Sequence, residues 1–327
     1  MKIIITGGAG FLGQRLAKRL LETMADSSAP FRLVLIDRVA THAFDGDSRV
    51  QSVVGDIADR AELQRLVTPD TAVIYHLAAI VSSQAEAEFD LGMRINFEAT
   101  HSLLEIARQL PAPPKFVFTS SVAVFGGALP AIVTDDTAVH PQSSYGAQKA
   151  VGELLVNDYS RKGFVDGRVL RLPTICVRPG KPNRAASSFV SGIIREPLNG
   201  EPAVCPVMRE VRLWLSSPAT AIENLLHAQF VPAQSLALNR TINLPGLAVT
   251  VGEMLDTLER VAGREAVAKV RFERDEAVEK IVTSWPGRFD PSRALSLGFL
   301  GDEHFEAVVR AYRQEAFPNG SAATAHV

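Results

Sequence analysis

Apolar residues along the chain follow two rhythms. Lys2 to Thr6 is a short run rich in β-branched residues; glycines follow, and then Phe11 to Thr23 sets Leu12, Leu16, Leu20 and Leu21 at helical spacing. The pattern predicts strand, tight turn, helix. It recurs, with strands predicted at Arg32–Ile36, Gln51–Val54, Ala72–His76, Lys115–Thr119 and Arg168–Leu172, and helices at Ala61–Val67, Glu86–Leu110 and Tyr145–Lys162. The strands are apolar throughout rather than alternating, as expected when helices cover both faces of a parallel sheet. Residues 1–173 therefore read as an α/β domain built on a doubly wound parallel sheet. Beyond Pro173 the pattern is broken by Pro179, Pro182, Pro197, Pro202 and Pro206. That predicts a smaller, irregular α/β region over 174–317 on the substrate side, with some segments returning to the sheet. Residues 318–327 are small and polar and predict a disordered tail.

Composition narrows the function classes. With 327 residues, 46% hydrophobic and 21% charged, the chain can bury a large core, and a net charge of −2 offers no field to draw in nucleic acid or an anionic membrane. Trp214 and Trp285 stand apart without interleaved basic residues, which argues against a base-stacking platform. Cys176 and Cys205 share no paired-ligand spacing and the seven histidines form no metal motif, so neither a disulfide framework nor a metal is predicted. No apolar run approaches the roughly 20 residues that cross a bilayer, and glycines interrupt the N-terminal run before an export signal develops. A cytoplasmic protein acting on a small molecule is the expectation.

The segment Gly8-Ala9-Gly10-Phe11-Leu12-Gly13, preceded by Gly7, is a G-x-G-x-x-G run between a predicted strand and a predicted helix. In that context the first glycines permit the turn, Gly10 lets backbone approach a pyrophosphate, and Gly13 allows close helix–strand packing. The N–H groups at the helix start, Phe11 and Leu12 among them, face the phosphates, aided by the helix dipole. Asp37 closes the second strand, where a carboxylate can accept from both ribose hydroxyls and repel a 2′-phosphate, favouring NAD over NADP. It lies farther from the glycines than the usual 20 or so residues, a distance the insertion at 25–30 accounts for. Arg38 beside it can neutralise a phosphate, and a surface Asp at a strand end is the bland reading.

Tyr145 and Lys149 are four apart at the start of a helix and project from one face. A phenol near pKa 10 is too weak a base at neutral pH, but an adjacent ammonium and a positively charged nicotinamide both lower that value. Tyrosine then becomes a usable general base. Ser121 lies just past the fifth strand, at the carboxyl end where ligands collect, and its hydroxyl can bond the reacting oxygen. Ser120 reads instead as a strand-end cap.

Together the segments 6–13, Gly55-Asp56-Ile57, His76-Leu77-Ala78-Ala79, Asn96, 119–126 and Tyr145-x-x-x-Lys149 resemble the extended short-chain dehydrogenase/reductase family, in order over about the first 180 residues. The resemblance implies a Rossmann-type fold with NAD as cofactor. It also implies that Asp56 and Ile57 border the adenine, that Leu77, Ala78 and Ala79 line the cofactor trough, and that Asn96 holds a water in a proton relay with Lys149. Pro173 is placed by the nicotinamide. Sugar-nucleotide epimerases of the family often carry a tyrosine where Phe125 stands, a departure that bears on subfamily. The stretch Arg171 to Phe189 resembles family members that oxidise the 2-hydroxyl of a four-carbon sugar acid. An acid substrate needs a cationic or hydroxyl-lined clamp. Ser82, Ser83, Ser121, Thr174, Arg184 and Ser187 are candidates, and so is Arg178, although its neighbouring prolines suggest a structural turn.

Three functions fit these features: a sugar-acid dehydrogenase leaving net NADH; a nucleotide-sugar epimerase or dehydratase in which the hydride returns; and a non-catalytic dinucleotide sensor. Tyr145, Lys149 and Ser121 have no purpose in the third. Pairing of the two long helices across a homodimer axis, as in relatives, is a further expectation.

Overall fold

The structure, a computed structural model, describes residues 1–25 and 30–318. In chain order its first half runs β1 (Lys2–Thr6), α1 (Phe11–Thr23), β2 (Arg32–Asp37), β3 (Val50–Val54), α2 (Arg60–Leu66), β4 (Thr71–His76), α3 (Ser82–Ala87) and α4 (Phe89–Gly92). A π-helical segment (Met93–Glu98) leads to α5 (Ala99–Ala107), β5 (Lys115–Ser121), α6 (Ser144–Arg161) and β6 (Asp166–Leu172). The second half contains β7 (Thr174–Ile175), α7 (Ser188–Leu198), β8 (Ala203–Cys205), β9 (Arg212–Ser216), α8 (Pro218–Ala228) and α9 (Ala233–Leu236). It continues with β10 (Thr241–Asn243), β11 (Leu247–Thr250) and α10 (Val251–Ala262).

The main sheet has seven strands in the order β10-β6-β5-β4-β1-β2-β3, and every pairing is parallel. Strand order reverses between β1 and β4, the switch point at which the carboxyl ends of a doubly wound sheet open a crevice. The uniformly apolar strands serve two cores. Ile3, Ile5, Leu33 and Leu35 pack with Leu16 and Leu20 of α1 and Leu225 of α8 on one face. Ile4, Val34, Ile74 and Phe118 pack with Leu63, Leu103 and Val156 on the other. Both cores are filled by contiguous β-branched and leucine runs, which is why period-2 alternation is absent.

One element differs from the sequence expectations. The single helix predicted over Glu86–Leu110 is broken: α3 ends at Ala87, Glu88 leaves the helical region (φ −123°, ψ 68°), and a π-helical turn intervenes before α5. The widened turn follows the closest crossing of α6. At Gly92 a Cβ would lie only 2.7 Å from the Gln148 amide nitrogen, and in the turn Asn96 donates to Gln148. Residues 174–317 do form a second core around α7 and α10 with a small sheet of β11, β9 and β7, but β10 pairs with β6 in the main sheet and α8 packs on α1. Residues 26–29 of the insertion before β2, and the tail from 319 on, lie outside the described residues.

Candidate active site

A cleft of about 410 Å³ runs along the carboxyl edge of the sheet. Strand order sets the sequence of groups along it: Asp56 past β3, Asp37 at the end of β2, the glycine turn past β1, Leu77 to Val81 past β4, Ser120 and Tyr145 beside β5, Leu172 at the end of β6, and Ile175 in β7 just beyond it.

The glycine turn is dictated by close approach. Gly7 has φ +72°, and a Cβ there would sit 2.9 Å from the Ala78 nitrogen; at Gly13 a Cβ would be 2.2 Å from the Gly7 carbonyl oxygen. Any side chain at 13 would push α1 away from β1. The α1 N-cap, Gly10, has no side-chain cap, and the first turn holds no acid, so its N–H groups point into the cleft unpaired by any side chain. Asp37 accepts from the Ala9 nitrogen at 3.1 Å, which fixes its carboxylate over the turn. Thr6 and His76 join through a 2.7 Å hydrogen bond, His76 reaches Thr100 at 2.8 Å, and the Ala78 nitrogen donates to Thr6 at 3.2 Å. Burial pushes the His76 imidazole down to about 3, so this brace is neutral. An uncapped helix start facing a cleft, with one carboxylate at its far end, suits a dinucleotide: pyrophosphate on the turn, ribose hydroxyls on Asp37.

At the other end Lys149 is buried and donates to the Thr119 carbonyl at 2.8 Å; its ammonium lies 5.9 Å from the centre of the Tyr145 ring. Tyr145 is half-buried in the cleft wall, in the first turn of α6, where Ser143 caps the Gly146 nitrogen at 3.2 Å. Burial pushes the Tyr145 phenol up to about 12, and the Ser121 hydroxyl acts against that rise. Burial also brings Lys149 down to about 7, with Glu153 pulling the other way. Desolvation is the larger influence on both groups and disfavours the charged form of each.

Sequence reasoning assigned Ser120 to structure, and its buried hydroxyl indeed bonds Glu153. Glu153 in turn takes two bonds from Arg171, at 2.9 and 2.7 Å, and Arg171 stacks 4.6 Å from the buried Phe125 ring and reaches Asn243. Asn96 is spent locally: its oxygen accepts from the Ile80 nitrogen at 2.8 Å and its nitrogen donates to Ile80 and Gln148.

Gly7, Gly10, Phe11, Leu12, Gly13, Asp37, Asp56, Ile57, Leu77, Ala78, Ala79, Tyr145 and Lys149 all line the cleft, and Pro173 is buried between β6 and β7. Of the candidate substrate contacts, Ser121 sits beside Tyr145, whereas the others are not on the cleft wall. Ser82 accepts from the Ala186 nitrogen, Thr174 pairs with Leu215, Arg184 is exposed and bound to Glu88, and Ser187 heads α7. Ser83 is half-buried nearby. Sequence reasoning passed over Ile95, Ile175 and Asn183, which do line the cleft, and discounted Arg178, which lines it too. For Arg178 the flanking prolines masked a signal that lay in its residue type.

Residues 3–218 match the NAD dependent epimerase/dehydratase family. The chain belongs to that family. Its cofactor is NAD. Among relatives of this family member, a D-erythronate dehydrogenase of Cupriavidus necator is 54% identical over 97% of this chain and 99% of its own length. A D-erythronate dehydrogenase of Haemophilus influenzae is 53% identical over 95% and 98%. A crystal structure described as a nucleoside-diphosphate-sugar epimerase from Agrobacterium tumefaciens is 42% identical, with a TM-score of 0.90 over 98% of this chain and 96% of that one. No helix among the described residues is long and apolar enough to cross a membrane.

Proposed function

We propose that this protein is an NAD-dependent dehydrogenase that oxidises the 2-hydroxyl of D-erythronate to the 2-oxo acid. The observation that carries the reading is identity above half, over nearly the full length of both partners, with two D-erythronate dehydrogenases. Bound NAD supplies the hydride acceptor and, in its oxidised form, a positive charge. Tyr145 removes the hydroxyl proton. Its phenol, held near 12 by burial, becomes competent once positive charge at that end of the cleft offsets the desolvation. Ser121 holds the reacting oxygen, and Lys149, anchored on the Thr119 carbonyl, carries charge and proton beneath the phenol. Asn96 fixes the Ile80 backbone that forms the cleft wall above Lys149.

The test is D-erythronate with NAD, followed at the NADH absorbance band. One NADH per acid consumed is expected; no NADH overturns the reading. The likeness to a structure described as an epimerase favours a second reading, in which substrate turns over with no NADH accumulating, and the same assay separates the two. We also propose a homodimer. Phe89, Val151 and Leu154 are 56%, 40% and 67% exposed, and Phe89 and Val151 flank an apolar surface groove that Met93 and Phe97 also line. Sedimentation of the parent as a dimer and of Leu154→Glu as a monomer is the expected result.

A further inference from the structure

The buried arginines of this protein each hold an acid, whereas one half-buried arginine in the cleft does not. Arg168 pairs with Asp166, Arg171 with Glu153 and Arg195 with Glu196. Arg178 has no carboxylate within ion-pair distance among the described residues, although it is half-buried and lines the cleft. Its own position is well fixed: the backbone nitrogen donates to Ser191 at 3.0 Å, and Arg195 donates to its carbonyl at 2.8 Å. The guanidinium makes one neutral contact, to the Asn183 amide oxygen at 3.3 Å. Burial disfavours the charged guanidinium, with Cys176 acting against that and the charge of Arg195 adding to it, and arginine stays protonated all the same. A cation held in such a place without a counter-ion is costly unless an anion arrives.

Sheet order says which anion. Arg178 follows β6 and β7, whereas the glycine turn that suits a pyrophosphate follows β1, and β6 is three strands away from β1. That separation is roughly 14 Å at ordinary strand spacing. Arg178 is therefore at the Tyr145 end of the cleft, alongside Ile175 and Leu172. In a 2-hydroxy acid the carboxylate is bonded to the carbon that bears the reacting hydroxyl, so an anion site and a proton acceptor must share one end of the cleft.

We propose that Arg178 is the specificity-determining residue of the site, its guanidinium binding the substrate carboxylate and so selecting 2-hydroxy acids over neutral polyols. The inference rests on the dehydrogenase reading above. Arg178 supplies a planar pair of donors that match a carboxylate, and Asn183 orients them from behind. A site built to bond a charged group discriminates strongly against an analogue lacking it.

The experiment compares parent, Arg178→Met and Arg178→Lys, with D-erythronate and with the neutral tetritol that carries a hydroxymethyl in place of the carboxylate. The readout is the ratio of kcat/KM for acid over polyol, which a loss of folded fraction leaves unmoved. That ratio is expected to fall about 10²-fold or more in Arg178→Met, through KM for the acid, and by less in Arg178→Lys, which keeps the charge but loses the fork. NAD affinity, measured by quenching of protein fluorescence, is expected to stay within about two-fold. An unchanged ratio overturns the proposal, as does a fall in NAD affinity that accounts for the whole loss, since Arg178 would then serve the cofactor phosphates. If the parent makes no NADH from D-erythronate, the dehydrogenase reading has failed, and the arginine is judged separately. Thermal stabilisation of the NADH-loaded parent by glycerate, erythronate or threonate that disappears in Arg178→Met upholds the anion site, and equal shifts in both overturn it.

Discussion

The two ends of the cleft are built on opposite principles. At the glycine end the binding groups are backbone N–H donors and one carboxylate, Asp37, all from two adjacent strands and their turns. At the tyrosine end they are side chains from β5, α6 and the segment past β7, sunk far enough that Tyr145, Lys149 and Arg178 all have their charged forms disfavoured. The first end is ready for a ligand as folded, because helix-start donors are open by geometry. The second is under electrostatic stress until charge arrives, an arrangement that ties proton transfer to cofactor and substrate binding.

The sharpest way to break this contrast is Tyr145→Phe. Turnover is expected to fall 10²- to 10⁴-fold with NAD affinity unchanged, measured by steady-state kinetics beside a binding titration. Activity within a few-fold of the parent would mean that the buried end is not where the proton moves. Next in size is Glu153→Gln, which strips the counter-charge from buried Arg171. A stability loss of about 3–5 kcal/mol by denaturant titration is expected, and a loss below 1 kcal/mol would show that the network beneath Lys149 is already solvated. At the opposite end, Asp37→Ala removes the proposed ribose partner. A preference for NAD over NADP relaxed by about tenfold is expected from the ratio of kcat/KM values, since a hydrogen bond to a charged group contributes about 1.5–3 kcal/mol; unchanged discrimination would take Asp37 out of the site.

The last comparison concerns pH. Lys149 in the folded protein is lowered from 10.5 to about 7. Between those values the unfolded chain holds a proton that the folded one has released, so its contribution to stability rises with pH; below about 7 the cost of burying the ammonium is present in full. Tyr145, raised to about 12, contributes in the opposite sense only above pH 10. From pH 7 to 9, unfolding free energy of the cofactor-free parent is therefore expected to rise more steeply than that of Lys149→Met. Parallel slopes would show that the ammonium stays charged in the fold.

The glycine end was legible in the sequence because its chemistry is contiguous. A β-branched run, glycines at 7, 10 and 13, and a leucine-spaced helix specify strand, turn and helix through local backbone geometry, and Asp37 falls at the end of the next apolar run. The parallel sheet was legible for a related reason, since strands buried on both faces need apolar residues at successive positions. Tyr145 and Lys149 were legible as a pair because four residues make one helical turn. What no local pattern carried was burial. Helical periodicity over Glu86–Leu110 gave no sign of the π-helical turn, in which Asn96 meets Gln148 of another helix. Proline spacing made Arg178 read as a turn residue and left Arg184 the better candidate, yet the fold pairs Arg184 with Glu88 at the surface and leaves Arg178 in the cleft without an acid. Sequence by itself determined strands β1 to β6 of the main sheet and the glycine turn between β1 and α1, because those follow from neighbours in the chain. Only the tertiary structure decided which charges are stripped of water and which lack a partner, because desolvation is set by everything packed around a group, and most of that comes from elsewhere in the chain.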